Sequence, residues 1–370
     1  MNIKVLYLVE DFKLGGLERI VQTIFCGIDR TKFSPSLWCI ASGGILAEQL
    51  INENEYLKIL HLKSYYNILN IFRLAYMIRN GGFHIVHTSG YFANTMGRIA
   101  AFIANTPVVL AHVQTTYWGF KKRNILIEKI LSTISDKIIC CSEAVRNFVV
   151  NYEGITAEKV ITLYNGIHDV NNPRVSGFES NNGNSFRIII IGSLVANKGH
   201  VYLLKAIEKI RQYSKNVTLD VVGEGPIKKE LLACADSLNI SAVTNFRGFV
   251  DDDASMGLLL QSHVLVAPSI EREGLPTVII EAMSKSKPVI GSNIGGIPEL
   301  VEDGVTGFVV NPADADDLAS KLKILIHDSE LRQKMGKAGR KKFEETFDAR
   351  IMIQEIENLY RSSLIRKGFL

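Results

Sequence analysis

No stretch of this 370-residue chain approaches the ~18–20 apolar residues that a helix needs to cross a bilayer. The opening run, Met1-Asn-Ile-Lys-Val-Leu-Tyr-Leu-Val-Glu10, becomes acidic too early for a secretory leader and reads as a first buried strand. Cysteine is sparse: five residues, at 26, 39, 140, 141 and 234, with no metal-ligand spacing. Their odd number and the missing leader point to reduced thiols in the cytoplasm, and Cys140-Cys141 to a strand end. Neither half contains a G-x-G-x-x-G turn followed ~20 positions later by an acidic residue, which argues against a nicotinamide dehydrogenase. A strong charge of one sign is also lacking. The net +4, carried by the first half, suits an anionic partner but is too small to argue for nucleic acid.

What is present is a regular alternation of strand-like and helix-like runs, in a chain long enough for two domains. Apolar runs at 4–9, 84–87, 108–112 and 137–141 alternate with helical stretches such as 17–27 and 93–103. The pattern returns at 187–191, 218–222, 243–247, 263–268, 288–291 and 307–310. Such alternation implies an α/β fold: two Rossmann-like, doubly wound parallel-sheet domains facing a cleft, with ligands at the carboxyl ends of the strands. The first domain is expected over 1–170 and the second over 186–348. The Asn/Ser/Gly-rich segment 171–185 reads as the linker between them, and 349–370 as a helix crossing back to the first domain.

The most informative segment runs from Ser269 to Met283. Glu273 and Glu281 stand eight positions apart around a Gly274-Leu275-Pro276 turn, after a buried strand and at the start of a helix from Thr277. A strand, a tight turn and a helix start aim backbone N–H groups at an anion. One carboxylate can then face a sugar while the other grips a ribose. Three further strand-to-helix turns carry glycine: Lys13-Leu-Gly15-Gly16-Leu-Glu18, Gly192-Ser193-Leu-Val-Ala-Asn-Lys198-Gly199, and Gly223-Glu-Gly225-Pro226. A lysine at the second of these tips can neutralise a diphosphate leaving group. Alone, the first is as readily an ordinary turn, Lys198 reads first as a solvated surface lysine and Gly223 as a structural turn, and Asn165-Gly166 reads first as a tight turn at the domain boundary. Asp251-Asp252-Asp253 has the form of a metal-binding Asp-x-Asp, but directly before a helix it reads as a cap, as does Asp314-Ala-Asp316-Asp317. Tyr117, Trp118, Lys121, Lys122 and Arg123 open a helix with an apolar stripe. It can lie on an anionic membrane surface or pack on the core.

Together these residues resemble the family-4 glycosyltransferases of the GT-B fold, over most of the chain and most strongly from 187 to 310. Glu273 and Glu281 match the paired glutamates of that family, and Gly192…Lys198-Gly199 its diphosphate loop. Gly223-Glu-Gly-Pro226 and Gly295-Gly296-Ile-Pro298-Glu299 are also typical, and Gly15-Gly16-Leu-Glu18 resembles its first glycine loop, which places Gly16 at the nucleotide. The resemblance implies retaining sugar transfer from a nucleotide donor without a bound metal. Glu281 would hold the ribose, Glu273 the donor sugar, and Lys198 the departing diphosphate. Gly274, Leu275 and Thr277 would cradle phosphate, with Gly223 in the same donor set and Arg247 and Phe249 near the base. Two positions depart from the family pattern. Ser193 stands where relatives carry an arginine, a loss that Arg247 or Arg272 would partly offset. In Ala111-His112-Val113-Gln114, the usual second histidine is Gln114, which donates a hydrogen bond but cannot shuttle a proton. His112 and Gln114 share one strand face, so both could line the cleft.

The expected protein is thus a cytoplasmic enzyme, peripheral on the inner membrane face. It would move a sugar from a nucleoside-diphosphate donor, UDP-linked by preference, to a glycan acceptor, lipid-linked, in bacterial-type surface polysaccharide or glycolipid synthesis. It would need no cofactor and bind no nucleic acid. The alternatives are a nucleotide-sugar-binding partner with little activity, to which Ser193 and Gln114 point, or a GT-B nucleotide-sugar epimerase.

Overall fold

The computed structural model describes residues 2–13, 15–51, 57–62, 67–116, 121–169 and 185–370. Tyr117, Trp118 and residues 171–184 of the expected linker lie outside them. Two compact units are present. The first comprises Met1–His168 together with Asp348–Leu370, the second Asp169–Phe347.

The sheet of the first unit holds β1 (Ile3–Val9), β2 (Phe33–Cys39), β3 (Leu57–Ile59), β4 (Ile85–Ser89), β5 (Val108–Val113), β6 (Lys137–Cys140) and β7 (Val160–Thr162), in the order β3-β2-β1-β4-β5-β6-β7. That of the second holds β8 (Phe186–Ile191), β9 (Val217–Val222), β10 (Thr244–Gly248), β11 (Val264–Ala267), β12 (Val289–Ser292) and β13 (Gly307–Val310), in the order β10-β9-β8-β11-β12-β13. Every pairing is parallel. β4 and β5 are buried along their whole length, as strands covered on both faces must be; β5 is apolar but for His112, whereas β4 buries His87, Thr88 and Ser89. Each sheet grows outward from its first strand, then reverses. The reversals fall between β1 and β4 and between β8 and β11. At such switch points the loops leaving the two strands diverge and open a crevice.

The last helix, Ala349–Arg366, belongs to the first unit. Asp348 caps it, accepting from the Arg350 N–H at 2.8 Å, and the Ala349 N–H donates to the Ile167 carbonyl at 2.9 Å. Its Ile353 fills the space beside Gly27, where a Cβ would meet Ile353 Cδ1 at 2.3 Å. Tyr360 is buried against Phe33, ring centroids 5.9 Å apart. The acidic runs act as caps: Asp251 accepts from the Ala254 N–H at 2.8 Å, and Asp314 from Asp316 and Asp317 at 3.0 and 2.9 Å. All five cysteines are free thiols.

One buried charge cluster gives the first unit a pH-dependent stability. Arg98 (1% exposed) pairs with Glu128. Nearby Glu153, 3% exposed, has its carboxyl pushed up to about 8 by burial and by the Glu128 charge, against the pull of Arg98. Below about pH 4.5 Glu153 is protonated whether the chain is folded or not. Between there and about pH 8 the unfolded chain releases a proton that the folded one keeps, so stability falls as pH rises. Glu153→Gln is expected to raise unfolding free energy by roughly 1–4 kcal/mol at pH 8 and to leave it unchanged at pH 4. Denaturant melts at the two pH values check this; equal effects at both would refute it.

Candidate functional site

In the second unit the switch point is closed by two loops that lie on each other's backbone. After β8 the chain passes Gly192 and Ser193, makes a short turn over Ala196–Lys198, and enters the helix His200–Arg211 through Gly199. Gly199 has φ +70°, and a Cβ there would fall 1.9 Å from the Pro268 carbonyl oxygen in the loop after β11. Only glycine allows that approach. The Ile270 N–H then donates to the Asn197 carbonyl at 2.8 Å. This contact brings Lys198 and Glu273 together: Nζ lies 2.5 Å from Oε1, and the Ser269 hydroxyl donates to the same oxygen at 2.6 Å. Glu273 is 5% exposed, so its charge is held in a partly desolvated place by one amine and one hydroxyl. Ser269 is a site residue that motif reading left unassigned; its signal was its position four residues before Glu273.

The turn itself is constrained. Arg272 has a left-handed backbone, φ +61°, a conformation that non-glycine residues seldom hold without support from their surroundings. Here that support comes from Gly295 and Gly296. A Cβ on Gly295 would meet the Glu273 carbonyl at 2.0 Å, and the Gly296 N–H donates to the Gly274 carbonyl at 3.0 Å. The double glycine therefore seats the acidic turn. Leu275 is buried beneath it, and the helix Thr277–Ser284 starts two residues on, carrying Glu281 half-buried in its second turn.

Gly223 is explained by packing. A Cβ there would meet the Gly192 carbonyl at 2.0 Å, so the turn after β9 lies against the turn after β8 only because residue 223 has no side chain. Arg247 Nε pairs with Asp220 Oδ1, buried on the neighbouring strand, at 2.7 Å. That pairing already engages the guanidinium expected to help offset Ser193. Ser193 is exposed, as is Phe249, and Arg272 pairs with its neighbour Glu271 at 3.4 Å.

In the first unit, Gly16 starts the helix Gly16–Gly27 behind an N-cap at Gly15, and the Glu18 side chain folds back against Gly15. Burial raises the Glu18 carboxyl above its ordinary range. At the end of β5, His112 and Gln114 meet, Nε2 to Nε2, at 2.9 Å. Gln114 Oε1 accepts from Asn165 Nδ2 at 2.8 Å, which gives the Asn-Gly turn a side-chain task. His112 Nδ1 lies 3.3 Å from His87 Nε2 on β4, and His87 Nδ1 lies 2.6 Å from the Tyr360 hydroxyl. Burial lowers His112 to about 3. Burial, and then the neighbouring His112, lowers His87 well below its usual value. Both rings are neutral near pH 7. No motif announced His87 or Tyr360.

Residues 14–170 match the family model for Glycosyltransferase Family 4, and residues 173–342 that for Glycosyl transferases group 1. A capsular polysaccharide biosynthesis glycosyltransferase of Staphylococcus aureus, CapM, is 30% identical over 301 residues, 76% of this chain and 77% of that one. The chain belongs to glycosyltransferase family 4. Among its other relatives is the sulfoquinovosyl transferase SQD2 of Arabidopsis thaliana, 29% identical over 76% of this chain and 57% of that protein. Crystal structures of Anabaena Alr3699/HepE share the GT-B fold: the complex with UDP superposes with TM-score 0.85 at 22% identity, over 97% of this chain and all of that one. As a family-4 member the protein is a glycosyltransferase, with two parallel-sheet Rossmann-like units of the GT-B type.

Proposed function

We infer that this glycosyltransferase moves a sugar, with retention at the anomeric carbon and without a bound metal, from a UDP-linked donor to a lipid-linked glycan acceptor. The observation that carries the reading is the Lys198–Glu273–Ser269 cluster at a sheet switch point, beside the start of the helix Thr277–Ser284. In the free protein the ammonium is held by Glu273. A diphosphate would draw it away, and the vacated carboxylate could then accept from donor-sugar hydroxyls. Lys198 and the N–H groups of Gly274, Leu275 and Thr277 would neutralise charge on the departing diphosphate, the place where preorganised donors contribute most. Glu281, farther along that helix, would take the ribose hydroxyls. Asp251, the first residue of the Asp251-Asp252-Asp253 run, is used as a helix cap. Support for the donor comes from Alr3699/HepE, crystallised with UDP and with UDP-glucose. Support for a glycan product comes from the capsular polysaccharide role in CapM's name.

Membrane contact rests on the helix Lys122–Thr133. Lys121, Lys122 and Arg123 are exposed at its start, and Leu126 and Ile130 lie 59% and 58% exposed one turn apart. Among the described residues no helix is long and apolar enough to cross a membrane, so contact would be at the surface.

A thermal-shift series with UDP, GDP and their sugars tests the donor site. A ligand at a hundred times its dissociation constant adds about 2.7 kcal/mol, roughly 5–10 °C for units of this size. UDP is expected to give such a shift in the native enzyme and little in Glu281→Ala. No shift with any uridine or guanosine diphosphate would end the reading.

A further inference from the structure

The pair at the end of β5 is one end of a longer structure. From Asn165, hydrogen bonds run through Gln114, His112, His87 and Tyr360 to Tyr7, the last three of them buried. The spacings are 2.8, 2.9, 3.3, 2.6 and 3.0 Å. The path begins at the Asn-Gly turn, crosses β5 and β4, and ends between β1 and the C-terminal helix. Its rings are wedged: Tyr7 and His87 centroids are 5.4 Å apart, and Tyr360 stands edge-on to His87.

Such a chain has a direction. Gln114 Oε1 accepts from Asn165, so its Nε2 donates to His112 Nε2. His112, neutral, then carries its hydrogen on Nδ1 and donates to His87 Nε2. His87 in turn carries its hydrogen on Nδ1 and donates to Tyr360, whose hydroxyl donates to Tyr7. A neutral imidazole is donor at one nitrogen and acceptor at the other. No single member can reverse without reversing all the others.

We propose that the C-terminal helix sets the orientation of the Gln114 carboxamide through this chain, making Tyr360 and His87 positioning residues for sugar transfer. The proposal rests on the reading that Gln114, which stands where the family resemblance puts a second histidine, acts in sugar transfer. Gln114 Nε2 has two hydrogens and His112 takes one. The second is a donor whose direction is settled by a tyrosine 246 positions later in sequence. Without the Tyr360 hydroxyl, the His87 Nδ1 hydrogen would point at hydrocarbon. An orphaned buried N–H is tolerated less than an orphaned acceptor. The chain should therefore reverse: both histidines carry hydrogen on Nε2, Gln114 presents its oxygen to His112, and Asn165 turns its Oδ1 to accept from Gln114 Nε2.

Tyr360→Phe tests this by nitrogen-15 NMR of the histidine side chains together with steady-state kinetics. The expected result is a switch of both His87 and His112 from the Nδ1–H to the Nε2–H tautomer. Turnover should drop about tenfold, the equivalent of one hydrogen bond, with donor KM within about twofold, as for a contact used in the transition state. Unchanged tautomers overturn the proposal, and so do switched tautomers with unchanged turnover. If Tyr360→Phe does not fold, Gln114→Glu drives the same reversal from the other end, because a carboxylate can only accept from His112. Both histidines must then switch together, and a switch at His112 alone overturns the coupling. Full turnover in Gln114→Ala would instead sink the role of Gln114 in transfer and leave the NMR result standing.

Discussion

Lys198→Ala is expected to lower turnover by about 10²–10³ while the protein stays folded. Lys198 Nζ is the cation set beside the carboxylate that would face the donor, 2.5 Å from Glu273 Oε1. When the bond between sugar and diphosphate breaks, negative charge gathers on the leaving oxygen, and a fixed ammonium lowers that barrier without having to reorganise. The stability loss is smaller. Lys198 is about one third exposed, and Glu273 keeps the Ser269 hydroxyl. Leaving the carboxylate half satisfied costs about 1–3 kcal/mol, within the ~5–15 kcal/mol margin of an ordinary domain. Glu273→Gln should lose turnover to a similar degree. The double variant should be little worse than either alone, because residues acting as a unit do not add. Release of nucleotide from donor and acceptor gives the rate, and circular dichroism melts report the fold. Turnover within a few-fold of the native enzyme in Lys198→Ala would remove it from the mechanism.

Gly199→Ala should damage both stability and rate, through backbone alone. The new methyl would sit 1.9 Å from the Pro268 carbonyl oxygen, and φ +70° disfavours any side chain. Left-handed backbone costs a non-glycine residue about 1–2 kcal/mol. The clash adds about 1–3 kcal/mol, because no flexible side chain can move aside. Relief requires the loops after β8 and β11 to separate. That separation stretches the Ile270–Asn197 hydrogen bond and carries Lys198 away from Glu273. A displacement near 1 Å can cost about 10²-fold in rate, so turnover should fall at least that far, with a lower melting temperature. Gly304→Ala is the control. Its φ is +74°, but no atom lies within 4 Å of the added methyl, so it should lose about 1–2 kcal/mol of stability and no turnover. Equal turnover losses in the two variants would show that close approach at Gly199 is not what matters.

Much of this protein can be read along the chain. β5, β8 and β11 stand out because strands covered on both faces are largely apolar. The Asp251 and Asp314 caps stand out because a helix start asks for an acceptor at that position. β2 gives no such signal: Pro35 and two serines break the run, and only pairing with β1, Val5 opposite Pro35, makes it a strand. β3 and β7 are three residues each, too short for any periodicity. Arg247 reads along the chain as available to a nucleotide, but Asp220, 27 positions earlier, holds it.

The sequence by itself determined the α/β architecture, the family and the spacing of Glu273 and Glu281, because periodicity, turn chemistry and caps act over a few residues. Tertiary structure alone decided which side chains are already engaged and which are lined up. It put Ser269 and Lys198 on one carboxylate oxygen, and it joined Tyr7 to Tyr360 across 353 positions. Hydrogen bonds reach only about 3 Å. Partners that far apart in sequence meet only where the winding of the sheet and the return of the last helix bring them together.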